Sequence, residues 1–314
     1  MRKPIAWTLA AVALVAILVA AVVVGVRALG SSGNQVATSE CTVPAAGPSA
    51  AGAASVAGTA SATAVPVYLS AVQLQHASTI NAVGMSRGLP QRARIIALAT
   101  AFQESGLRNL PSGDRDSLGL FQQRPSQGWG RPAQIMDPVY AAGKFYDALE
   151  KVQGWPEMSL TRAAQSVQYS GFPDAYAKWE GQATTLAIAL GGADPLEVTC
   201  TAGAQAPTAD APARKALAGA AAAPALLSSV LAAAQAELGG LTLVRLIGST
   251  AVVTVTAPGV TSGQAGRALA AWAVAHATGF TITEVAVEAQ GWTAHAWATT
   301  TTPTPAGQVT LTAG

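Results

Sequence analysis

The sequence contains few charged and few aromatic residues. Charged side chains make up 11% of the 314 residues, aromatic side chains make up 5%, and the formal net charge is +2. An average globular domain carries about 25% charged residues. No run of adjacent lysine and arginine residues is longer than two, whereas a surface that follows a phosphate backbone needs clustered cations. We therefore expect no nucleic-acid partner.

Cysteine and histidine are also scarce, which excludes several kinds of site. The chain has two cysteines and three histidines. His276 and His295 have no cysteine or carboxylate at metal-ligand spacing, and His76 falls on an apolar helical stripe. The sequence has no phosphate-binding loop and no dinucleotide-binding glycine motif. We expect neither a metal ion nor a cofactor.

The N-terminus holds a long apolar run. Two cations precede residues 5–26, which form a run of 22 residues with a single polar member, and a third cation follows. As a helix this run would measure about 33 Å, enough to cross a hydrocarbon layer of about 30 Å. It predicts a transmembrane signal-anchor at 5–28, with a cytoplasmic tip at 1–4 and the bulk of the chain extracytoplasmic. The alternative is a signal peptide cleaved near residues 28–30, which would release a secreted protein.

The two cysteines, Cys41 and Cys200, lie outside this predicted membrane segment. In an oxidising setting such thiols tend to pair. We predict a disulfide that brackets the region between them, and two unrelated free thiols are the alternative.

Composition divides the rest of the chain into linkers and domains. Small and polar residues predict a flexible linker at 29–64, an Ala/Pro linker at 201–224 and a disordered Thr/Pro-rich tail at 299–314. Two domains remain, at 65–200 and at 225–298. The second has helical and strand-like runs in the order α-β-β-α-β-β, which predicts a small α+β domain.

In the first domain, apolar residues recur at the intervals that are typical of helices. One of the predicted helices carries a candidate catalytic acid. Pro90 suits the first turn of this helix, and Gly106 supplies a left-handed stop, which places Glu104 in the last turn. The partial negative charge at a helix C-terminus disfavours a carboxylate, and burial acts in the same direction. A carboxyl that stays protonated can donate a proton to a glycosidic oxygen. The alternative is a solvated glutamate at a helix end.

Two segments around this glutamate form a recognisable pair. Residues 104–107 read Glu-Ser-Gly-Leu, and residues 117–122 read Ser-Leu-Gly-Leu-Phe-Gln. The pair resembles the signature of soluble lytic transglycosylases of the lysozyme-like superfamily, Glu-Ser followed by Gly-Leu-Met-Gln, with Phe121 in place of the methionine. Residues 163–171 and the following Tyr176 are weakly similar to the third motif of that family. Residues 114–117 and 127–130 are similar to segments of exported, membrane-anchored actinobacterial proteins with this domain.

The resemblance covers about residues 67–200 and implies a lysozyme-like domain. The expected fold class is therefore a mainly α lysozyme-like domain, preceded by one transmembrane helix and followed by a small α+β domain. The family cleaves the bond between N-acetylmuramic acid and N-acetylglucosamine in peptidoglycan and leaves a 1,6-anhydro product. The implied partners are peptidoglycan glycan strands and, through the N-terminal helix, the membrane; the C-terminal domain is a candidate site for an envelope protein partner.

The resemblance also assigns roles to residues. It implies that Glu104 is the single catalytic acid and base, that Ser105 orients its carboxyl, and that Gly119 lets the backbone approach the sugar. Trp129, between two glycines, could stack on a sugar or fill a small core. The full set of expected substrate-binding residues is Ser105, Ser117, Gly119, Phe121, Gln122, Trp129, Tyr169 and Tyr176.

Two departures from the family pattern leave alternatives open. Gln168 and Tyr169 replace a Tyr-Asn pair whose asparagine contacts the sugar, so hydrolysis and transglycosylation both remain open. Asp114 or Asp116 could serve as the second carboxylate of a muramidase-type hydrolase, or could cap a loop. A different class of function is a non-catalytic peptidoglycan-binding or envelope scaffold protein that keeps the fold.

Overall fold

A computed structural model describes residues 40–45, 64–169, 174–193, 195–200, 223–293 and 296–314. These residues contain eight α-helices and two antiparallel sheets. The first six helices lie between residues 71 and 189, in the order α1 (Ala71–Ser86), α2 (Gln91–Ser105), α3 (Pro132–Ile135), α4 (Pro138–Leu149), α5 (Leu160–Gln168) and α6 (Glu180–Ala189).

Side-chain caps fix where several of these helices begin. The Ser70 hydroxyl accepts from the Gln73 backbone N–H, and the Gln73 side chain accepts in return from the Ser70 N–H, which completes a capping box at α1. Asp137 accepts from two backbone N–H groups at the start of α4, and Ser159 accepts from one at the start of α5. Each of these polar residues therefore satisfies N–H groups that the first turn leaves open.

A small sheet joins both ends of this helical region. Its strands β1 (Glu40–Val43), β2 (Val67–Ser70) and β3 (Thr199–Cys200) run in the order β2-β1-β3. Cys41 lies opposite Cys200 in the β1–β3 pair, and the two are joined by a disulfide. The predicted disulfide is confirmed. Part of the predicted linker at 29–64 is therefore a strand, and residues 29–39 and 46–63 lie outside the described residues.

The larger sheet has six strands and two accompanying helices. The elements follow the chain as α7 (Ala223–Leu238), β4 (Leu241–Ile247), β5 (Thr250–Val255), α8 (Ser262–Phe280), β6 (Ile282–Val287), β7 (Gln290–Thr293), β8 (Ala296–Thr299) and β9 (Gln308–Ala313). All neighbouring strands are antiparallel, in the order β4-β5-β9-β6-β7-β8. Alternate residues of β5 and β9 are buried, so one face of the sheet packs on the helices.

Helix α8 links the sheet to the helical region. It packs against β6 and β9 on one side and against α1 on the other. Its middle is buried almost without interruption from Ala265 to Ala277. The described residues form one compact unit, and most of their buried apolar side chains belong to one core cluster. The two predicted domains therefore share a core through α1 and α8.

The predicted fold class is wrong. In place of a helical domain with a transmembrane helix before it and a small domain after it, the described residues combine eight helices with a six-stranded antiparallel sheet in one unit. Within the described ranges, no helix is long and apolar enough to cross a membrane. The 19 residues of α8 bury their apolar surface against protein instead.

The predicted single-pass membrane location is corrected by the same finding. The run at 5–28 on which it rested lies outside the described residues.

The predicted disordered tail at 299–314 also needs correction. Gln308–Ala313 forms β9, an inner strand of the sheet between β5 and β6. Val309, Leu311 and Ala313 point to the core and alternate with polar residues. This alternation is typical of a half-buried strand, but the preceding Thr/Pro-rich composition concealed it. Of the predicted linker at 201–224, residues 201–222 lie outside the described residues, and α7 begins at Ala223.

Candidate functional site

The candidate acid, Glu104, lies in the last turn of α2. Gly106 follows the helix in the left-handed conformation with φ +62°, and its N–H donates to the Phe102 carbonyl oxygen at 3.0 Å. The Leu107 N–H donates to the Ala101 carbonyl oxygen at 3.2 Å. These bonds close the helix end, so the prediction that Gly106 ends α2 just after Glu104 is confirmed.

Two side chains of α1 hold the turn that follows Glu104. Leu107 also has a positive φ, +59°, which is unfavourable for a residue with a branched side chain. The Gln73 amide donates to the Gly106 carbonyl oxygen at 2.9 Å, and His76 Nδ1 donates to the Leu107 carbonyl oxygen at 2.8 Å. A carbonyl only accepts, so Nδ1 carries the proton. His76 therefore holds this turn in addition to packing in the core.

Two side chains of the described residues interact with the carboxyl group of Glu104. The Tyr176 hydroxyl donates to Glu104 Oε1 at 2.8 Å, and the side-chain amide of Gln168 lies close enough to lower the pKa of the carboxyl group. The same amide donates to the Phe121 carbonyl oxygen at 2.8 Å. Gln168 thus links the carboxyl group to the loop of the second motif.

Burial decides the protonation of this group. Partial burial of the carboxyl raises the pKa of Glu104 above its ordinary value, and the hydrogen bonds from Tyr176 and Gln168 reverse only part of that shift. Glu104 is therefore protonated at a higher pH than a glutamate in water. That property is what a proton donor to a leaving oxygen requires.

Tyr176 is held in place by the turn that follows it. The tyrosine is fully buried. The ring of Trp179, three residues later, stacks on Phe102 of α2 with ring centroids 5.0 Å apart. The Trp179 Nε1–H donates to Gln103 Oε1 at 3.0 Å. The last turn of α2 therefore contacts both ends of the segment from Tyr176 to Trp179, although sequence analysis did not single out Trp179 or Gln103.

Three of the expected substrate-binding residues make close contacts within the protein. The Ser105 hydroxyl donates to the Leu120 carbonyl oxygen at 2.8 Å, so it ties α2 to the second motif and does not contact the Glu104 carboxyl. Gly119 has φ +76°, and a Cβ there would lie 2.7 Å from the Ile135 carbonyl oxygen. Phe121 is fully buried and stacks on Phe145, at 4.7 Å between ring centroids. These contacts are internal to the protein.

The remaining expected substrate-binding residues differ in burial and in their contacts. Ser117 is buried, and the Gln122 amide donates to the Gly119 carbonyl oxygen at 3.2 Å. Trp129 is half-buried and packs against the core. Tyr169 is 85% exposed and ends α5 with a positive φ. Residues 170–173 of the weak third motif lie outside the described residues.

The two candidate second carboxylates have different surroundings. Asp116 accepts from Arg124 Nε at 2.7 Å and from the Ser126 backbone N–H at 2.8 Å. The Arg124 guanidinium and these hydrogen bonds hold the pKa of Asp116 well below its usual range. A carboxylate with so low a proton affinity is a weak base, and its contacts brace the loop. The side chain of Asp114 is 92% exposed.

The described part of the chain has no candidate metal site. Those residues contain no group of three or more His, Cys, Asp or Glu side chains that could hold a metal ion. His276, a poor ligand candidate from its sequence surroundings, stacks on Trp272 and faces Glu237 in the core. His295 lies outside the described residues.

The arrangement around Glu104 is the site from which a function can be argued. It brings together one half-buried carboxyl group, a tyrosine hydroxyl and a glutamine amide from three separate stretches of the chain. Comparison with known proteins finds no family model and no curated protein that matches this sequence.

Proposed function

We propose that this chain is a glycosidase that cleaves the bond between N-acetylmuramic acid and N-acetylglucosamine in peptidoglycan, with Glu104 as acid and base. The observation that carries the proposal is the half-buried Glu104 carboxyl group, whose pKa is raised by burial and whose Oε1 accepts from Tyr176. The motif resemblance of residues 104–107 and 117–122 to lytic transglycosylases supplies the substrate class.

In the proposed reaction, Glu104 first acts as an acid. It donates its proton to the glycosidic oxygen as the bond from that oxygen to the muramic acid carbon breaks, and the sugar develops oxocarbenium character. Glu104 then acts as a base and removes the proton of the muramic acid 6-hydroxyl, whose oxygen bonds to the same carbon. The product is a 1,6-anhydro ring; the donated proton stays on the leaving oxygen, and Glu104 is protonated again by the proton of the 6-hydroxyl.

Tyr176 and Gln168 fit both stages of this cycle. Their hydrogen bonds favour the ionised carboxylate, while burial favours the neutral acid. The two effects oppose each other on one carboxyl group, which acts as an acid in the first stage and as a base in the second. A fixed carboxyl position also lowers the cost of orienting the acid towards the leaving oxygen.

The surroundings of the two aspartates support a mechanism with a single carboxylate. Asp116 is engaged by Arg124 and Ser126, and its lowered pKa makes it a poor base for activating water. Asp114 is largely in solvent, where its carboxylate has no enclosing surface. Transglycosylation needs no second carboxylate, so we favour it over muramidase-type hydrolysis.

The proposal can be tested with the full chain and purified peptidoglycan sacculi. We expect soluble muropeptides to be released by the wild-type protein and by Glu157→Gln, which removes an exposed carboxylate in a short turn outside the site. Glu104→Gln should reduce the release rate at least about 100-fold, because general acid catalysis contributes roughly 10²- to 10⁴-fold. Binding to sacculi without release by any of the three proteins would replace the proposal with a non-catalytic binding function.

A further inference from the structure

An open cleft of about 460 Å³ lies on the outer side of α5. The inner side of the same helix is buried in the core through Leu160, Ala163, Ala164 and Val167. The residues that line the cleft are polar or aromatic: Ser159, Thr161, Arg162, Gln165, Ser166, Tyr169 and Asp174. The described part of the cleft wall is therefore formed by the polar side of α5 and by Asp174.

The cleft carries one charge of each sign. Arg162 and Asp174 are both exposed, and within the described ranges neither side chain takes part in an ion pair. A guanidinium recognises a carboxylate, and a carboxylate recognises an ammonium group. A neutral sugar offers neither group. The pair of charges thus favours a ligand with both an acidic and a basic group.

Two residues of the cleft wall are close in the chain to residues that contact the Glu104 carboxyl group. Tyr169, in its wall, directly follows Gln168, whose amide contacts the Glu104 carboxyl. Asp174, in the same wall, comes two residues before Tyr176, which donates to that carboxyl. A ligand in the cleft would therefore lie next to both segments that hold the catalytic carboxyl group.

We propose that this cleft binds a short peptide that carries a free carboxylate and an ammonium side chain. Resting on the proposed function, the peptide is the branch attached to the lactyl group of muramic acid. Arg162 binds the carboxylate of the branch, Asp174 binds its ammonium group, and the exposed ring of Tyr169 covers its aliphatic part. The cleft then selects glycan strands that carry peptides over bare strands.

Binding can be measured without relying on cleavage. The synthetic peptide N-acetyl-L-Ala-γ-D-Glu-L-Lys-D-Ala, whose acetyl group replaces the lactyl amide, is titrated into the full chain by isothermal calorimetry. Arg162→Gln and Asp174→Asn should each weaken binding about twofold to fivefold, as expected for the loss of one solvent-accessible charge pair. Arg245→Gln and Glu284→Gln, which remove exposed charges from the large sheet, should leave binding unchanged.

Two ligand controls complete the binding experiment. The same peptide with both carboxyl groups amidated and the lysine acetylated should bind much more weakly than the charged peptide. The uncharged tetramer of N-acetylglucosamine should bind the wild-type chain and the Arg162 and Asp174 variants equally. Absence of peptide binding, equal peptide binding by all variants, or loss of tetramer binding in the two cleft variants would each overturn the proposal.

Cleavage separates the cleft from the catalytic proposal. The wild-type chain should release fragments faster from intact sacculi than from strands whose peptides an amidase has removed, and Arg162→Gln should erase that difference. A wild-type chain that cleaves both substrates equally contradicts the cleft proposal alone. If neither substrate is cleaved, the catalytic proposal fails, and the calorimetry still decides whether the cleft binds the peptide.

Discussion

Replacing Tyr176 by phenylalanine removes the hydroxyl group that donates to Glu104 Oε1 at 2.8 Å. This hydrogen bond favours the ionised carboxylate and so opposes the effect of burial on the pKa of Glu104. A hydrogen bond to a charged group contributes about 1.5–3 kcal/mol, and partial exposure of Glu104 favours the lower end. We therefore expect Tyr176→Phe to increase the proton affinity of Glu104 roughly tenfold, since 1.36 kcal/mol corresponds to one pKa unit.

This change can be followed on the carboxyl group itself. In the full chain labelled with ¹³C at the glutamate carboxyl groups, the Glu104 signal is assigned by its loss in Glu104→Gln and is titrated with pH. Tyr140→Phe is the matched control, because the Tyr140 hydroxyl donates to the Trp129 carbonyl oxygen instead. The titration midpoint should move to higher pH in Tyr176→Phe only. An unchanged midpoint, or one that moves to lower pH, would refute the reasoning.

Three further predictions concern stability, measured by chemical denaturation. Because burial raises the pKa of Glu104, its ionised form destabilises the fold at neutral pH, so Glu104→Gln should raise the free energy of unfolding there. This gain should vanish as the pH falls below the ordinary glutamate value of about 4.3, and a gain that persists in acid would contradict it. Replacing Cys41 and Cys200 by serine opens a loop with a sequence separation of 159 residues, and we expect a loss of about 5 kcal/mol; a loss below about 1 kcal/mol would contradict the chain-entropy account. Gly119→Ala places a Cβ 2.7 Å from the Ile135 carbonyl oxygen at a positive φ, so it should cost about 3 kcal/mol, and an unchanged midpoint would show that the loop can shift.

Features that depend on local chain geometry could be predicted from the sequence. Gly106 is the residue type that tolerates the left-handed conformation at a helix end, and this fixed Glu104 in the last turn of α2. The disulfide followed from there being only two cysteines. In both cases a few residue types allow only a small number of arrangements.

Features that depend on distant parts of the chain could not be predicted in this way. The bonds from Gln73 and His76 to the turn after Glu104 join residues 33 and 31 positions apart. The contact between Trp179 and Gln103 spans 76 positions. Such pairs leave no periodic pattern, because each residue type is also common in other settings. The role of these residues in holding the end of α2 becomes visible only when the structure brings them together.

The shared core of the helical region and the sheet was missed for a related reason. Helix α8 reads in sequence as one helix of a small separate domain, rich in alanine. In the structure, nearly all of its middle is buried, because α1 covers the side that the sheet does not. Alanine allows this close packing on several sides but produces only a weak amphipathic pattern. The hydrophobic pattern of α8 therefore did not predict that the helix is buried on several sides.

The mass of the fragments that the full chain releases from peptidoglycan sacculi tests the catalytic role of Glu104 most directly. The account predicts fragments that end in a 1,6-anhydro ring, lighter by one water molecule than the corresponding products of hydrolysis, and a release rate at least about 100-fold lower with Glu104→Gln. Release of the same fragments by Glu104→Gln at the wild-type rate would contradict the account.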